Sequence, residues 1–267
     1  MNFEYISSKE NKLIKSVRKL MTSTRERRDQ GVFVLEGLRL CADAALGGFI
    51  INTAIVSESL SESERLSAVL QCANQVVKVP DSLFATLCDT VNPQGVLCIV
   101  KRPVDRTVDS IKNGKYIVLE NTADPANLGA MARTAEALGF SGIIISNVSC
   151  DPFSPKSQRA SMGALMRLPI IESGNVISDI KWLKDKGFKT FASVVKDADC
   201  FVQNADFSGD VCLLIGNEAN GLSDEIAACC DMKITIPMNG RAESLNAAAA
   251  ASILMWEAVR RGENGDC

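Results

Sequence analysis

The stretch VCLLIGNEANGLSDEIAACCDMKITIPMNGRAESLNAAAAASI, residues 211–253, decides the fold of this chain. It contains two short apolar runs, Val211–Ile215 and Met232–Ile236, and each leads into a polar loop that contains glycine. Such runs are typical of strands buried on both faces of a parallel sheet. Ligands bind these sheets in the crevice beyond the carboxyl ends of the strands. We therefore expect the two loops, residues 216–221 and 239–244, to lie side by side at a ligand-binding mouth.

The first loop does not match the common phosphate-binding motifs. Gly216 and Gly221 have the glycine spacing of a Walker A loop, but Leu222-Ser223 stand where that loop needs Lys followed by Ser or Thr. No G-x-G-x-x-G motif follows a predicted strand. On these grounds alone, the loop is either an ordinary turn or part of a ligand site.

The composition excludes several classes of chemistry. The chain has 267 residues, 46% of them hydrophobic and 23% charged, which is typical of a globular protein with one large or two modest domains. Because there is no histidine, Ser-His-Asp catalysis, Cys-His catalysis and His-ligated metal sites are excluded. The ten cysteines include no C-x-x-C pair, and no apolar run reaches membrane-spanning length. We expect a cytoplasmic protein without a metal, a disulfide framework or a membrane segment.

The charge is unevenly distributed along the chain. Residues 1–30 carry eight Lys and Arg against four Asp and Glu, and the remainder carries 21 against 28. A basic segment attached to an acidic body is compatible with nucleic-acid binding. One solvated helix with the same charges is equally compatible with this pattern.

Hydrophobic periodicity divides the chain into a basic N-terminal helix or arm (1–30), a small α/β domain (31–102), a polar linker (103–114) and a second α/β domain (115–267). In the arm we predict a helix over Lys9–Met21, followed by a polar segment, Thr22–Gln30, that is mobile without a partner. In the second domain the predicted strands are Tyr116–Leu119, Gly142–Ser146, Thr190–Val195, Val211–Ile215 and Met232–Ile236. The predicted helices there are Pro125–Leu138, Pro155–Met166, Ile177–Lys186 and Ser244–Arg261.

The helix that follows Asp124-Pro125 carries one charged residue outside its apolar stripe. Its core face is predicted to consist of Leu128, Met131, Ala132, Ala135 and Leu138. Arg133 lies on the opposite face, beside small residues. A solvated arginine and an arginine that meets a second chain packed on this face both remain open.

Four segments resemble the signature motifs of one enzyme family. They are Gly216-Asn217-Glu218-Ala219-Asn220-Gly221-Leu222, Ile236-Pro237-Met238, Glu243-Ser244-Leu245-Asn246 and, upstream, Asn127-Leu128-Gly129 with Arg133. The family is that of the SpoU/TrmH-type RNA ribose 2′-O-methyltransferases of the SPOUT superfamily. Residues 31–37 and 93–96 also resemble the substrate-binding domain that precedes the catalytic domain in many SpoU enzymes.

The resemblance implies a fold and a reaction. The fold is α/β: a small ribosomal-protein-like α/β RNA-binding domain, then a SPOUT α/β domain with a parallel sheet and a deep trefoil knot. The reaction transfers a methyl group from S-adenosylmethionine (SAM) to a ribose 2′-hydroxyl of RNA and needs no metal. Because the sulfonium already activates the methyl carbon, this chemistry tolerates a site without histidine.

The resemblance also implies functional residues. Arg133, Asn127, Glu218, Ser244 and Asn246 match the catalytic positions, and Gly216, Ile236 and Leu245 match the cofactor-binding positions. Family members are homodimers, so we expect Arg133 to reach the site of a second protomer. Without the resemblance, Ile236 and Leu245 would be interpreted as core residues. Ser244, Asn246 and Asn127 would be interpreted as helix caps.

Several alternatives remain open from the sequence. Arg133 acts either as an electrostatic group or as a literal general base. The RNA is expected to be ribosomal, from the large subunit, with transfer RNA as the alternative. After the methyltransferase, the second hypothesis is a catalytically silent RNA-binding assembly factor. The third is an unrelated α/β enzyme that binds another nucleotide.

Overall fold

The computed structural model describes residues 3–103 and 106–262, and the chain divides into two compact units. The first unit comprises Met1–Val104 and Asp151–Met166, and the second comprises Asp105–Cys150 and Arg167–Cys267. No helix in the described ranges is long and apolar enough to cross a lipid bilayer. The predicted linker, residues 103–114, includes two residues outside the described ranges, and a short 3-10 helix, Val108–Ser110, lies in its remainder.

The first unit is a mixed sheet covered by helices on both faces. Its strands are β1 (Glu4–Tyr5), β2 (Val32–Glu36), β3 (Ile51–Ser57), β4 (Ala73–Val79) and β5 (Val96–Lys101). Its helices are α1 (Lys12–Thr22), α2 (Thr24–Gln30), α3 (Leu38–Leu46), α4 (Glu64–Cys72), α5 (Asp81–Ala85) and α7 (Pro155–Ala160). The strand order is β1-β4-β3-β5-β2, and β5 is antiparallel to both its neighbours. Helix α1 covers one face of this sheet, and α3 and α4 cover the other.

The N-terminal helix α1 forms as the periodicity predicts, with Ile14, Val17 and Leu20 fully buried. It begins three residues later than predicted because the Asn11 side chain accepts a hydrogen bond from the Leu13 N–H at 2.8 Å and caps the helix there.

The polar segment after α1 is not mobile, so that prediction is wrong. It forms α2, capped by the Ser23 hydroxyl, which accepts from the Glu26 N–H at 3.2 Å. Within α2, Arg27 is buried: its Nε lies 2.7 Å from an Asp151 carboxylate oxygen, and its Nη1 donates to the Leu20 carbonyl at 2.6 Å. A buried ion pair with a residue 124 positions away therefore orders this segment.

Replacing Arg27 with methionine is expected to destabilise the protein by about 3–5 kcal/mol, because it leaves the Asp151 carboxylate buried without its partner. The free energy of unfolding in urea measures this effect. Arg25→Met is the matched control on the same helix, since Arg25 is exposed and its pair with Asp29 is worth about 0–1 kcal/mol. Equal losses in the two variants would contradict the assignment.

The second unit contains a seven-stranded sheet. Its strands are β6 (Lys115–Leu119), β7 (Gly142–Ser146), β8 (Ile170–Ser173), β9 (Lys189–Ser193), β10 (Cys200–Phe201), β11 (Val211–Ile215) and β12 (Met232–Thr235). Its helices are α6 (Pro125–Ala137), α9 (Val176–Asp185), α10 (Asp224–Cys229) and α11 (Ala247–Gly262); α8 (Ala164–Arg167) leads into β8. The strand order is β10-β12-β9-β11-β6-β7-β8, and every pair is parallel. The predicted α/β class with a parallel sheet is confirmed.

The order of the strands corrects one expectation. Strand β11 pairs with β6 and β9, whereas β12 pairs with β9 and β10. The loops that follow β11 and β12 are therefore not on neighbouring strands, because β9 lies between them. The 216–221 loop follows a strand that lies between β6 and β9, and the carboxyl ends of these two strands flank it.

Two helix predictions also need correction. The predicted helix Pro155–Met166 is interrupted, because Met162 and Gly163 have φ angles of 52° and 87° in the left-handed region. The last helix begins at Ala247 rather than Ser244, for a reason that lies in the site. Ala248 and Ala251 of this helix are buried, and α11 packs against α6.

Candidate active site

The loop after β11 closes on itself through Gly216. The Asn217 N–H donates to the Gly221 carbonyl at 3.0 Å, and the Gly221 N–H donates to the Asn217 carbonyl at 2.9 Å. A Cβ on Gly216 would lie 2.0 Å from the Gly221 carbonyl carbon and from the Leu222 nitrogen. Glycine is therefore required at position 216, because this narrow loop leaves no room for a side chain.

The loop presents Glu218 to the start of α6. The Glu218 carboxylate accepts hydrogen bonds from the N–H groups of Ala123 and Asp124 at 3.2 and 3.3 Å, and from Asn127 Nδ2 at 3.0 Å. Partial burial acts to raise the pKa of Glu218, but the hydrogen bonds from Asn127 and from backbone N–H groups outweigh it and lower the pKa below its usual range. The N-terminal end of α6 also favours negative charge. Glu218 is thus held as a carboxylate.

Asn127 connects Glu218 to the last signature segment. Its Oδ1 accepts from Asn246 Nδ2 at 3.1 Å while its Nδ2 donates to Glu218. Asn246 Oδ1 in turn accepts from the N–H groups of Ala248 and Ala249 at 2.9 and 3.2 Å, which caps α11 and explains why the helix begins at Ala247. Three predicted catalytic residues from distant segments therefore form one chain, Glu218–Asn127–Asn246.

Arg133 lies on the same helix as Asn127 but is not part of this series of hydrogen-bonded residues. The predicted core stripe of α6 is buried at Leu128, Met131, Ala132 and Ala135, but its last member, Leu138, follows the end of the helix and is only half-buried. Arg133 is exposed. Within residues 3–103 and 106–262 its guanidinium makes no hydrogen bond or ion pair. Arg133 is therefore free to meet a group from outside its own chain.

The other predicted site residues lie in or beside the segment that joins β12 to α11. Ile236 is half-buried just after β12, and Ser244 and Leu245 are exposed directly before Asn246. In the described part of the chain the Ser244 hydroxyl makes no hydrogen bond to Glu218, Asn127 or Asn246.

Sequence reasoning missed the polar residues that follow β6. Glu120 is buried, and its Oε2 accepts from the Ser223 N–H at 2.8 Å, which fixes the start of α10. Next to it, the Asn121 carbonyl accepts from the side chain of Asn217 at 2.7 Å. These residues could have been predicted from the sequence, because the polar pair Glu120-Asn121 directly follows an apolar run. Such a pair marks the carboxyl end of a strand in a parallel sheet, where ligands bind.

The residues present fit SAM, the cosubstrate that the resemblance implies. The 216–221 loop brings a backbone without a side chain to the carboxyl end of β11, where such sheets bind ligands. Met238 and Leu245 expose apolar side chains in the segment after β12, a suitable surface for an adenine ring. In the described ranges, no group of three or more Cys, Asp or Glu side chains is placed to hold a metal ion.

Comparisons with known proteins agree with this geometry. A model of the SpoU rRNA methylase family matches residues 114–256, and a model of the MRM3-like substrate binding domain matches residues 11–98. The chain is 28% identical to the Bacillus subtilis 23S rRNA (guanosine(2553)-2′-O)-methyltransferase RlmP, covering 94% of this chain and 97% of that protein. It is 30% identical to the 23S rRNA (uridine(2479)-2′-O)-methyltransferase of Streptomyces viridochromogenes, over 92% and 88% of the two chains.

A solved structure extends the likeness to the cofactor. The crystal structure of an AdoMet-bound (SAM-bound) rRNA methyltransferase from Sinorhizobium meliloti matches with a TM-score of 0.86 at 32% identity, covering 97% of this chain and 98% of that one. The family match spans more than half of the polypeptide and includes the hydrogen-bonded residues Glu218, Asn127 and Asn246. The protein therefore belongs to the SpoU rRNA methylase family and is a SAM-dependent RNA ribose 2′-O-methyltransferase.

Proposed function

We propose that the enzyme methylates one ribose 2′-hydroxyl in ribosomal RNA of the large subunit. The observation that carries this proposal is that the similarity runs through both units, including a substrate-binding domain at residues 11–98. The two relatives described above are almost completely covered, and both are named for 23S rRNA. Transfer RNA is the alternative substrate.

The protein's task in this reaction is to position the two reactants and to stabilise the charge that develops between them. Bound SAM supplies a methyl group that is activated by its positively charged sulfonium. After transfer of the methyl group, the sulfur is part of a neutral thioether. We assign the cosubstrate to the loops that carry Gly216, Ile236 and Leu245. Holding two reactants in line is worth roughly 7–11 kcal/mol in ideal cases.

Arg133 is proposed to stabilise the oxygen that attacks. Arginine side chains stay protonated in proteins, so a guanidinium is a poor general base. It is a strong donor to phosphate and to the alkoxide that develops as the 2′-hydroxyl loses its proton to solvent water. The exposure of Arg133 and the absence of a partner in the described ranges support this role.

Glu218, Asn127 and Asn246 are proposed to hold the site together around this chemistry. Glu218 is held as a carboxylate, which suits it to orient a guanidinium rather than to deliver a proton. Asn127 fixes Glu218 on one side and Asn246 on the other. Ser244, exposed two residues before Asn246, provides a hydroxyl for the RNA or for Arg133.

A homodimer with composite sites is proposed on the exposed sides of α6 and α11. Ile253 and Trp256 expose 39% and 53% of their surface on α11, on the side away from its buried alanines. The exposed Arg133 lies on α6, the helix against which α11 packs. Exposed large apolar side chains and an exposed arginine are typical of a protein–protein contact.

A trefoil knot in the second unit and a cytoplasmic location are also proposed. The knot is supported by the strand order, because β11 lies between β6 and β9 while the chain after β12 returns to α6 through Asn246. The location is supported by the cysteines, since eight of them, including the exposed Cys72 and the adjacent Cys229 and Cys230, carry free thiols.

Methyl-labelled SAM with RNA from a strain that lacks the enzyme tests the proposed substrate. We expect label at one 2′-oxygen of large-subunit rRNA, and at least about a hundredfold slower labelling with Arg133→Ala, the range for losing one charge-stabilising donor. Naked rRNA and assembling large subunits are both offered as substrates. Label in transfer RNA alone would overturn the rRNA proposal, and SAM binding without label in any RNA would favour a silent assembly factor.

A further inference from the structure

The side chain of Asn217 uses both halves of its amide at the centre of the site. Its Nδ2 donates to the Asn121 carbonyl at 2.7 Å and to Glu218 Oε2 at 3.3 Å. Its Oδ1 accepts from the N–H groups of Ala219 and Asn220 at 2.9 and 3.3 Å. This one amide therefore shapes the 216–221 loop, anchors it to the end of β6 and contacts the Glu218 carboxylate.

The anchor on β6 is itself held firmly. Asn121 has a φ angle of 53°, in the left-handed region, and its N–H donates to Ser146 Oγ at 2.8 Å. Ser146 Oγ donates back to Asn121 Oδ1 at 3.0 Å and lies 2.9 Å from Ser149 Oγ, which accepts from the Thr122 N–H at 3.1 Å. Ser146 at the end of β7 and Ser149 just after it thus fix the turn from which the Asn121 carbonyl accepts a hydrogen bond from Asn217.

This turn also leads into the other groups that hold Glu218. The N–H groups of Ala123 and Asp124 follow directly after Thr122, and both donate to the Glu218 carboxylate. The Asn217–Asn121 hydrogen bond therefore sets the distance between Glu218 and its backbone donors.

We propose that Asn217 is a positioning residue for SAM binding and methyl transfer, which keeps the Gly216 loop and the Glu218 carboxylate in their working arrangement. The proposal rests on the proposed roles of Gly216 and Glu218. Position 217 needs a donor towards the Asn121 carbonyl and towards Glu218, and an acceptor towards the loop N–H groups. Asparagine and aspartate have the same shape, but only asparagine supplies both the donor and the acceptor, because ionised aspartate has no donor.

Asn217→Asp tests this role with a change of almost no volume. At neutral pH the new carboxylate would face a carbonyl and the Glu218 carboxylate without a proton between them. We expect SAM affinity, measured by calorimetry, and methylation rate to fall about tenfold to a hundredfold, the range for losing a hydrogen bond to a charged group.

The pH dependence distinguishes positioning from a general loss of structure. Two adjacent carboxyls share one proton, which raises one pKa of the pair. When that proton is bound, the new side chain donates again. The defect relative to wild type should therefore be smallest at low pH and grow as pH rises through the raised pKa, from about pH 5 to about pH 8.

Asn147→Asp is the matched control. Asn147 is exposed directly after Ser146, so this change adds the same charge beside the network, and Asn147 makes no side-chain hydrogen bond in the described ranges. We expect SAM affinity within about twofold of wild type. The thermal midpoints of both variants are recorded alongside.

Unchanged SAM affinity in Asn217→Asp, or a loss that is equal at every pH and follows a lowered thermal midpoint, would overturn the proposal. If this variant does not fold, Asn217→Ser replaces it, because a shorter hydroxyl cannot span the same groups; wild-type SAM affinity in Asn217→Ser would overturn it equally. Because the calorimetry uses SAM alone, a failure of the proposed rRNA substrate leaves this test intact.

Discussion

Gly216→Ala is expected to weaken SAM binding severely. The added Cβ would lie 2.0 Å from the Gly221 carbonyl carbon and from the Leu222 nitrogen, and 2.2 Å from the Gly221 oxygen. All three are backbone atoms, so no side chain can rotate away to relieve the contact. The pair of hydrogen bonds between Asn217 and Gly221 must break instead, and the loop that carries Glu218 must open.

The size of the effect follows from the cost of overpacking a closed structure, about 1–3 kcal/mol and more where only backbone can move. We expect SAM affinity to fall by at least about a hundredfold, since opening the loop also displaces Glu218 from α6. Calorimetric titration with SAM measures this without RNA. Gly174→Ala is the matched control, because a Cβ at Gly174 meets nothing within 4 Å. Wild-type affinity in Gly216→Ala would refute the assignment of this loop to the cosubstrate.

Mixed dimers of Arg133→Ala and Glu218→Gln are expected to recover activity that neither variant has alone. Each variant should be slower than wild type by about a hundredfold to a thousandfold, as for loss of a preorganised charge. If Arg133 serves the partner's site, a mixed dimer contains one site with both Arg133 and Glu218 intact. A purified mixed dimer should then show about half of wild-type activity, because one of its two sites is complete.

Two affinity tags and sequential purification isolate the mixed dimer after co-expression. A dimer made from differently tagged copies of Arg133→Ala alone is the control and should stay inactive. A mixed dimer as slow as its parents would place Arg133 in the site of its own chain. A monomer with full activity at micromolar concentration would remove the composite site altogether.

The parallel sheet was predictable because its signal is local. Runs such as Val211–Ile215 are apolar throughout and bounded by turn residues, which few structures other than a buried strand satisfy. The outward position of Arg133 was predictable for a similar reason, since the helical period of α6 places it opposite Leu128 and Met131.

The features that escaped prediction depend on contacts between distant segments. The helix α2 is ordered by Asp151, whose position no local pattern of residues 22–30 reveals. The insertion of β11 between β6 and β9 likewise depends on chain topology, and it brings Glu218 to Asn127. The family resemblance singled out both residues, but their hydrogen bond could be seen only in the folded chain.

The double use of Asn246 has a consequence for protein synthesis. The residue both caps α11 and supports Asn127, so the site includes a residue that is synthesised 119 residues after Asn127. A nascent chain that has already made Asn127 and Glu218 still lacks this support. A nascent chain therefore cannot complete the hydrogen bonds from Glu218 through Asn127 to Asn246 until the start of α11 has been made.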